Sequence, residues 1–246
     1  MERHAFIDVA NTKGTASTAL EFYIDWQKLF NFFSGGKWQC ANIFYYEGGT
    51  DSRIYKNRFK KLSDIGYSVK TKQIFSHKNK EKVVTYVCAY CEHKNDTPVR
   101  EWNLECYKCK EINDIPIIYG SRRKANFDVE ITCDALEFAK PKTEILLFTG
   151  DGDFCYLAEK LVSLGARVTF VSTVKETSKN EKRFSTRLRS LINSEESRYI
   201  KTQKAPRVRL LEMNNFKLLI QSTQGVETSF EQAKHKENAA KRDVFE

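Results

Sequence analysis

Residues 145–153, Ile-Leu-Leu-Phe-Thr-Gly-Asp-Gly-Asp, constrain the fold of this chain more than any other stretch. Ile145 to Phe148 is a short apolar run between Pro141 and Gly150. Such a run reads as a strand buried on both faces, as in a parallel sheet. It breaks at Thr149-Gly150, and Asp151 and Asp153 follow with one glycine between them. From Phe154 to Gly165, Leu157, Leu161 and Leu164 recur at helical spacing. Two carboxylates thus occupy a strand-to-helix turn. In an open parallel α/β sheet that turn lies at the carboxyl ends of the strands, where ligands bind. Close carboxylates repel and are costly to desolvate unless a cation neutralises them. A hard divalent cation does so with oxygen ligands. The plainer reading makes Asp153 a helix cap and Asp151 a solvated turn residue.

The rest of the chain extends the alternation. Ala5 to Asp8 reads as a first strand ending in a carboxylate, with Asn11 and Gly14 in the turn. Thr15 or Ser17 is expected to cap a helix running to about Phe33, stopped by Gly35-Gly36. Cys40 to Tyr46 is a second strand, Asp51 to Ile65 a basic helix closed by Gly66, and Tyr67 to Phe75 a third strand. After an interruption, a helix is expected from Ala125 to Ala139, then the strand before Asp151. Arg167 to Ser172 is a fifth strand, Phe184 to Ile192 a helix, and Arg207 to Ile220 a short strand or hairpin. The charged tail from Glu227 reads as a surface helix or a disordered segment. This order predicts a doubly wound α/β sheet, mostly parallel.

Composition narrows the function. Of 246 residues, 41% are hydrophobic, enough for a full core, and the formal net charge is +9. A basic surface attracts polyanions such as nucleic acid. No apolar run reaches the ~18 residues of a membrane span, so no membrane partner is expected. The amino terminus runs straight into a strand without the apolar core of a signal peptide, and a cytoplasmic protein is expected. In that compartment seven cysteines favour metal ligation or free thiols over disulfides.

In a doubly wound sheet the first and fourth strands are neighbours where strand order reverses. Asp8, Asp151 and Asp153 then converge on one crevice. Asp128 and Asp134 precede the fourth strand. They are six residues apart, about 600° around a helix, and do not share a face cleanly. Asp128, at the helix start, is the better ligand, with Asp134 behind it and Glu130 a surface residue. Carboxylates around Mg²⁺ or Mn²⁺ can position a water for in-line attack on a phosphodiester. Arg122, Arg123 and Lys124 stand just before Asp128 as a phosphate contact or a solvated charge run. Asn11 reads as a support for bound water or phosphate, or as a plain turn asparagine.

Three motifs carry a family resemblance: Phe6-Ile-Asp8-Val-Ala-Asn11; Lys124-Ala-Asn-Phe-Asp128 leading to Asp134; and Leu147-Phe-Thr-Gly150-Asp151-Gly-Asp153-Phe154. Together they resemble the NYN family, more narrowly the LabA-like branch of PIN-like metal-dependent nucleases. That pattern runs D-x-x-N, K-x-x-x-D-x-x-x-x-x-D and S-G-D-x-D-F, and Thr149 stands here in the serine position. The resemblance covers roughly residues 4 to 200 outside a cysteine insertion. It implies a PIN-like Rossmannoid fold and Mg²⁺- or Mn²⁺-dependent hydrolysis of RNA, in preference to DNA. Asp8, Asp128, Asp151 and Asp153 would hold metal, Asp134 would occupy a further acidic position, and Asn11 and Lys124 would be supporting polar residues.

The insertion carries Cys88-x-x-Cys91 and Cys106-x-x-Cys109. Two such knuckles at this separation fit tetrahedral thiolate ligation of Zn²⁺ in a closed, structural site. Tyr86, Tyr90, His93, Lys94, Arg100, Trp102, Tyr107, Lys108 and Lys110 surround them. Interleaved aromatic and basic residues stack bases and hold phosphates, or pack the ribbon itself. The expected organisation is a nuclease domain over residues 1–200, a zinc ribbon over 80–114 within it, and a C-terminal extension over 201–246. The leading expectation is a metal-dependent endoribonuclease whose ribbon aids RNA binding. The alternative is a non-catalytic nucleic-acid-binding or assembly module with a vestigial acidic cleft. Both leave room for a homo-oligomer or a protein partner. A haloacid dehalogenase phosphatase fits poorly, since Asp8 is followed by Val9-Ala10 and not by a second Asp two residues on.

Overall fold

The computed structural model describes residues 1–78, 83–87, 90–91, 93–98, 101–105, 109–116, 121–203 and 205–223. The chain forms two compact units. One comprises residues 1–73 and the chain from Asn126 onward; the other runs from Ile74 to Ala125.

In the first unit, β1 (Glu2–Asp8) leads into α1 (Val9–Gly14), a π-helical turn over Thr15–Ala19 and α2 (Trp26–Ser34). Next come β2 (Asn42–Gly49), α3 (Arg53–Ile65) and β3 (Ser68–Gln73). Gly66, at φ 118°, closes α3 in the left-handed conformation that glycine tolerates.

Among the described residues, the second unit holds three antiparallel pairs. Strand β4 (Phe75–Lys78) pairs with β9 (Ser121–Lys124), β5 (Val83–Val87) with β6 (Lys94–Pro98), and β7 (Glu101–Glu105) with β8 (Ile112–Pro116). Val87 stands opposite Lys94, and Glu105 opposite Ile112. By chain order, each Cys-x-x-Cys motif therefore belongs to the connection between two paired strands. Cys88 and Cys106 lie outside the described residues, as does the tail from Gln224.

The first unit resumes with α4 (Asp128–Glu137), β10 (Thr143–Phe148), a 3₁₀ turn over Gly152–Phe154, and α5 (Cys155–Ser163). It ends with β11 (Arg167–Ser172), α6 (Thr186–Thr202), β12 (Val208–Glu212), a 3₁₀ turn over Met213–Phe216, and α7 (Lys217–Ile220). The strands form one parallel sheet in the order β12-β11-β10-β1-β2-β3. Order reverses between β1 and β10, in the α/β arrangement expected from the sequence. Ala5 to Ile7 and Ile145 to Phe148 are buried on both faces, which is why they read as unbroken apolar runs. Ala5, Ile7, Leu146 and Phe148 face a core filled by Val9, Leu29, Phe33, Leu62 and Met213. Phe6 and Phe44 stack at 4.9 Å, with Phe138 against both. Each fully buried Phe contributes about 2–3 kcal/mol. Among the described residues no helix is long and apolar enough to cross a membrane.

Two local expectations need correction. The helix anticipated from Thr15 or Ser17 to Phe33 is two helices. The first starts at Val9 because Asp8 caps it directly, accepting from the Asn11 N–H at 3.2 Å. The second is capped by Asp25, which accepts from the Lys28 N–H at 3.0 Å. Between them Ile24 is drawn into an antiparallel bridge with Gln221, a tertiary contact that overrides helical spacing. Of the short strand or hairpin expected after Arg207, the strand forms: β12 joins the sheet edge in parallel. Helix α6 runs on past Ile192 to Thr202.

Glu195 fixes α6 to the residue just ahead of β12. Burial alone would raise its carboxyl, but hydrogen bonds from Arg198 and Arg207 outweigh burial and hold it at about 2. The contacts are Arg198 Nη2 at 2.8 Å, Arg207 Nη2 at 3.1 Å and the Arg207 N–H at 3.0 Å. A carboxyl depressed on folding stabilises the fold above its unfolded value near 4.5, and that stability is lost as pH falls toward 2. Glu195→Gln should therefore cost about 2–3 kcal/mol at pH 7. Chemical denaturation should show the deficit shrinking below about pH 4.5 and nearly gone at about pH 2.

Candidate functional site

Three carboxylates reach the crevice where strand order reverses, each from a different element. Asp8 is the last residue of β1, Asp151 follows β10 after Thr149-Gly150, and Asp128 is the first residue of α4. The backbone beneath them is fixed by short polar contacts. The Thr12 hydroxyl lies 2.6 Å from the Asp8 carbonyl and 3.0 Å from the Phe148 carbonyl, so it bridges the ends of β1 and β10. The Gly150 N–H donates to Asn11 Oδ1 at 3.0 Å. Asp151 caps the 3₁₀ turn by accepting from the Asp153 N–H at 3.0 Å. Its own N–H donates to Thr149 Oγ1 at 3.1 Å, so threonine serves in the serine position of the motif.

Gly150 has a steric reason to be glycine. A Cβ there would stand 1.9 Å from the Arg183 carbonyl oxygen, and the Ser185 N–H donates to the Gly150 carbonyl at 2.9 Å. The segment before α6 is thereby laid against the carboxylate turn.

The electrostatics single out Asp8. Burial pushes its carboxyl up to about 6; Asp128 and Asp151 push in the same direction, against hydrogen bonds from the Asn11 and Ala10 backbone. The three acids therefore share one field. Asp8 and Asp128 are half-buried and Asp151 is exposed. Among the described residues, no cation forms an ion pair with any of them. Nor do three acidic, histidine or cysteine side chains stand close enough together to ligate one ion among those residues. The donor chemistry suits a hard cation, whereas the side chains as placed do not close on a common point.

The other expected site residues are distributed around this group. Asp153 is exposed, 4.0 Å from Arg187. Asp134 accepts from the Tyr46 hydroxyl at 2.7 Å and lies 3.8 Å from Lys70, so β2 and β3 engage it. Burial and that bond keep Tyr46 protonated. Asn11 spends its amide oxygen on Gly150. Arg122, Arg123 and Lys124 lie on β9 in the other unit, and their side chains lie outside the described residues. Cys91 and Cys109 are exposed free thiols. Glu130 pairs with Lys72, as befits a surface residue.

Sequence reasoning missed Tyr46, Arg183 and Arg187. Tyr46 reads only as a strand aromatic. The arginines belong to Lys182-Arg183-Phe184-Ser185-Thr186-Arg187, a basic run opening a helix behind a serine cap. That signal was present, but only the glycine contact brings it to the turn.

The chain is 26% identical over 171 residues to the low amplitude and bright protein LabA of Synechococcus elongatus, covering 68% of this chain and 72% of that protein. A crystal structure of a protein of unknown function from Vibrio parahaemolyticus superposes with a TM-score of 0.46 at 19% identity, covering 73% of this chain and 85% of the other. The NYN domain matches residues 4–194, which span Asp8, Asp128 and Asp151, and the chain belongs to the NYN domain family.

Proposed function

We propose that the chain is a metal-dependent endoribonuclease, with Asp8, Asp128 and Asp151 holding a Mg²⁺ or Mn²⁺ ion. The observation that carries this reading is that Asp8, Asp128 and Asp151 come to one crevice from the ends of three elements with no described cation paired to them, and that burial and the two neighbouring acids push the Asp8 carboxyl up. A protein keeps such a group at a cost, and that cost fits a site that binds positive charge. When bound, a divalent ion supplies a water of lowered pKa and neutralises charge on the phosphate. The chain's own part is to present the acids from three rigid elements. Thr12 and Asn11 hold the strand ends and Thr149 shapes the turn. Asp153 stands at the rim, and Asp134 acts from behind through Tyr46. The net charge of +9 and membership of the NYN family support a nucleic-acid substrate, RNA in preference to DNA.

The inserted unit is proposed to bind zinc through Cys88, Cys91, Cys106 and Cys109 and to add RNA contacts. Its support is the position of both cysteine pairs between paired strands and the full exposure of Tyr90. Arg122, Arg123 and Lys124 are proposed as further phosphate contacts. A second reading, a nucleic-acid-binding module without turnover, is favoured by the open placement of the acids, which do not close on one point.

Asp151→Asn separates these readings. Incubated with labelled RNA and Mn²⁺, the native chain should cleave, and the variant should be at least about 10²-fold slower while melting normally. EDTA should stop cleavage and added Mn²⁺ restore it; RNA binding without cleavage would establish the second reading. Asp8 gives a test independent of turnover. A carboxyl raised on folding holds its proton more tightly in the folded state. Ionisation therefore costs stability as pH rises from about 4, and the full cost applies above about 6. Asn keeps the helix cap, so in EDTA Asp8→Asn should stabilise the chain by about 2 kcal/mol at pH 8 and by nothing at pH 3. Native mass spectrometry should find about one zinc per chain, as one tetrahedral thiolate site requires, and Cys88→Ser with Cys91→Ser should abolish it.

A further inference from the structure

Beside the acidic crevice lies a groove of about 730 Å³ that the preceding reading leaves unused. One wall is the carboxylate turn and the first turns of α5, including Asp153 and Tyr156; the other is the start of α6, including Arg187, Ser190 and Ser194. Gly152 belongs to both turn and groove, and a Cβ on it would stand 2.4 Å from Ser185 Oγ. The two walls are therefore pinned together at the end nearest the acids.

Three features of the lining point to one kind of ligand. Tyr156 is 77% exposed, while its helix neighbours Leu157, Ala158 and Leu161 are buried. Helix packing thus makes no use of its ring, and its hydroxyl has no hydrogen-bond partner among the described residues. The Arg187 side chain is 73% exposed and meets Asp153 only at 4.0 Å, a surface pair of little strength. Thr186 and Ser190 present hydroxyls four residues apart on the same wall, while Ser194, one turn further on, donates its hydroxyl to the Leu191 carbonyl at 2.7 Å. An open aromatic face beside a loosely held guanidinium and hydroxyl donors is the combination that binds single-stranded nucleic acid. The ring stacks on a base and the cation and hydroxyls contact phosphate and sugar. A paired base cannot reach such a ring, because its faces are covered in the duplex.

We propose that this groove receives unpaired nucleotides flanking the cleaved phosphate, with Tyr156 stacking on a base and Arg187 contacting the backbone, and that it selects single-stranded over duplex RNA. This rests on the acidic crevice being the site of RNA cleavage.

The test uses binding, so that it does not depend on turnover. In EDTA, the full chain carrying Asp151→Asn is titrated against a fluorescein-labelled single-stranded RNA and the same strand annealed to its complement. Single-strand affinity should exceed duplex affinity. Adding Tyr156→Ala should weaken single-strand binding about tenfold, and Tyr156→Phe should restore it. Adding Arg187→Gln should weaken it and lower the salt slope by about one. None of the three should change duplex binding or the melting temperature. Equal affinity for both RNAs, or unchanged single-strand binding in Tyr156→Ala, overturns the groove proposal and leaves the cleavage reading intact. Failure of the native chain to cleave or to bind any RNA overturns the cleavage reading, and this proposal falls with it.

Discussion

Everything at the candidate site depends on how the ends of β1 and β10 are held where strand order reverses. At such a point successive helices leave the sheet on opposite faces, and the strand ends open a crevice with unpaired backbone groups. Here the Thr12 hydroxyl shares one proton between the Asp8 and Phe148 carbonyls, and the Asn11 amide oxygen takes the Gly150 N–H. Both contacts are neutral. They close the inner wall without bringing a cation to it, and the acids above are left to one another's field. A lysine or arginine at position 12 could have satisfied the same carbonyls, but it would have quenched the repulsion that raises Asp8.

The first unit's fold was largely legible because its central strands are buried on both faces. Ile145 to Phe148 could not be anything but apolar, and once they were a strand, Asp151 had to lie at its carboxyl end. The same logic carried Ala5 to Asp8. What resisted reading was double use. Asp8 serves as site acid and as helix cap, so α1 begins at Val9, where no separate cap announces it. The break before α2 was hidden for another reason: Ile24 answers to Gln221, far along the chain, and no local pattern reports that. For Asp128 and Asp134, helical geometry alone indicated different surroundings. That Tyr46 is the residue engaging Asp134 depends on strand pairing in β2, which residue spacing does not encode.

Gly150 connects the carboxylate turn to the segment that opens α6. Its missing side chain lets the Arg183 carbonyl approach, and that contact sets where α6 begins. At the other end of the helix, Glu195 ties it to Arg207 just ahead of β12. Helix α6 is thus located from both ends, by a steric gap at one and a buried charge network at the other. A groove wall on such a helix is preorganised, and little ordering is needed when a ligand arrives.

Charge works at two ranges in this molecule, and the two oppose each other. At long range a net charge of +9 draws a polyanion in. In the crevice, three carboxylates repel the same polyanion's phosphates. On the reading proposed here, a divalent ion inverts the local sign, which turns the repulsion into the means of holding it. Arg187 then occupies an intermediate place. It stands within 4.0 Å of Asp153, too far for a strong bond and too exposed for a strong pair, so an arriving phosphate can take it over at little cost. A tighter bridge there would have stabilised the free protein slightly and closed the groove to the nucleotide proposed for it.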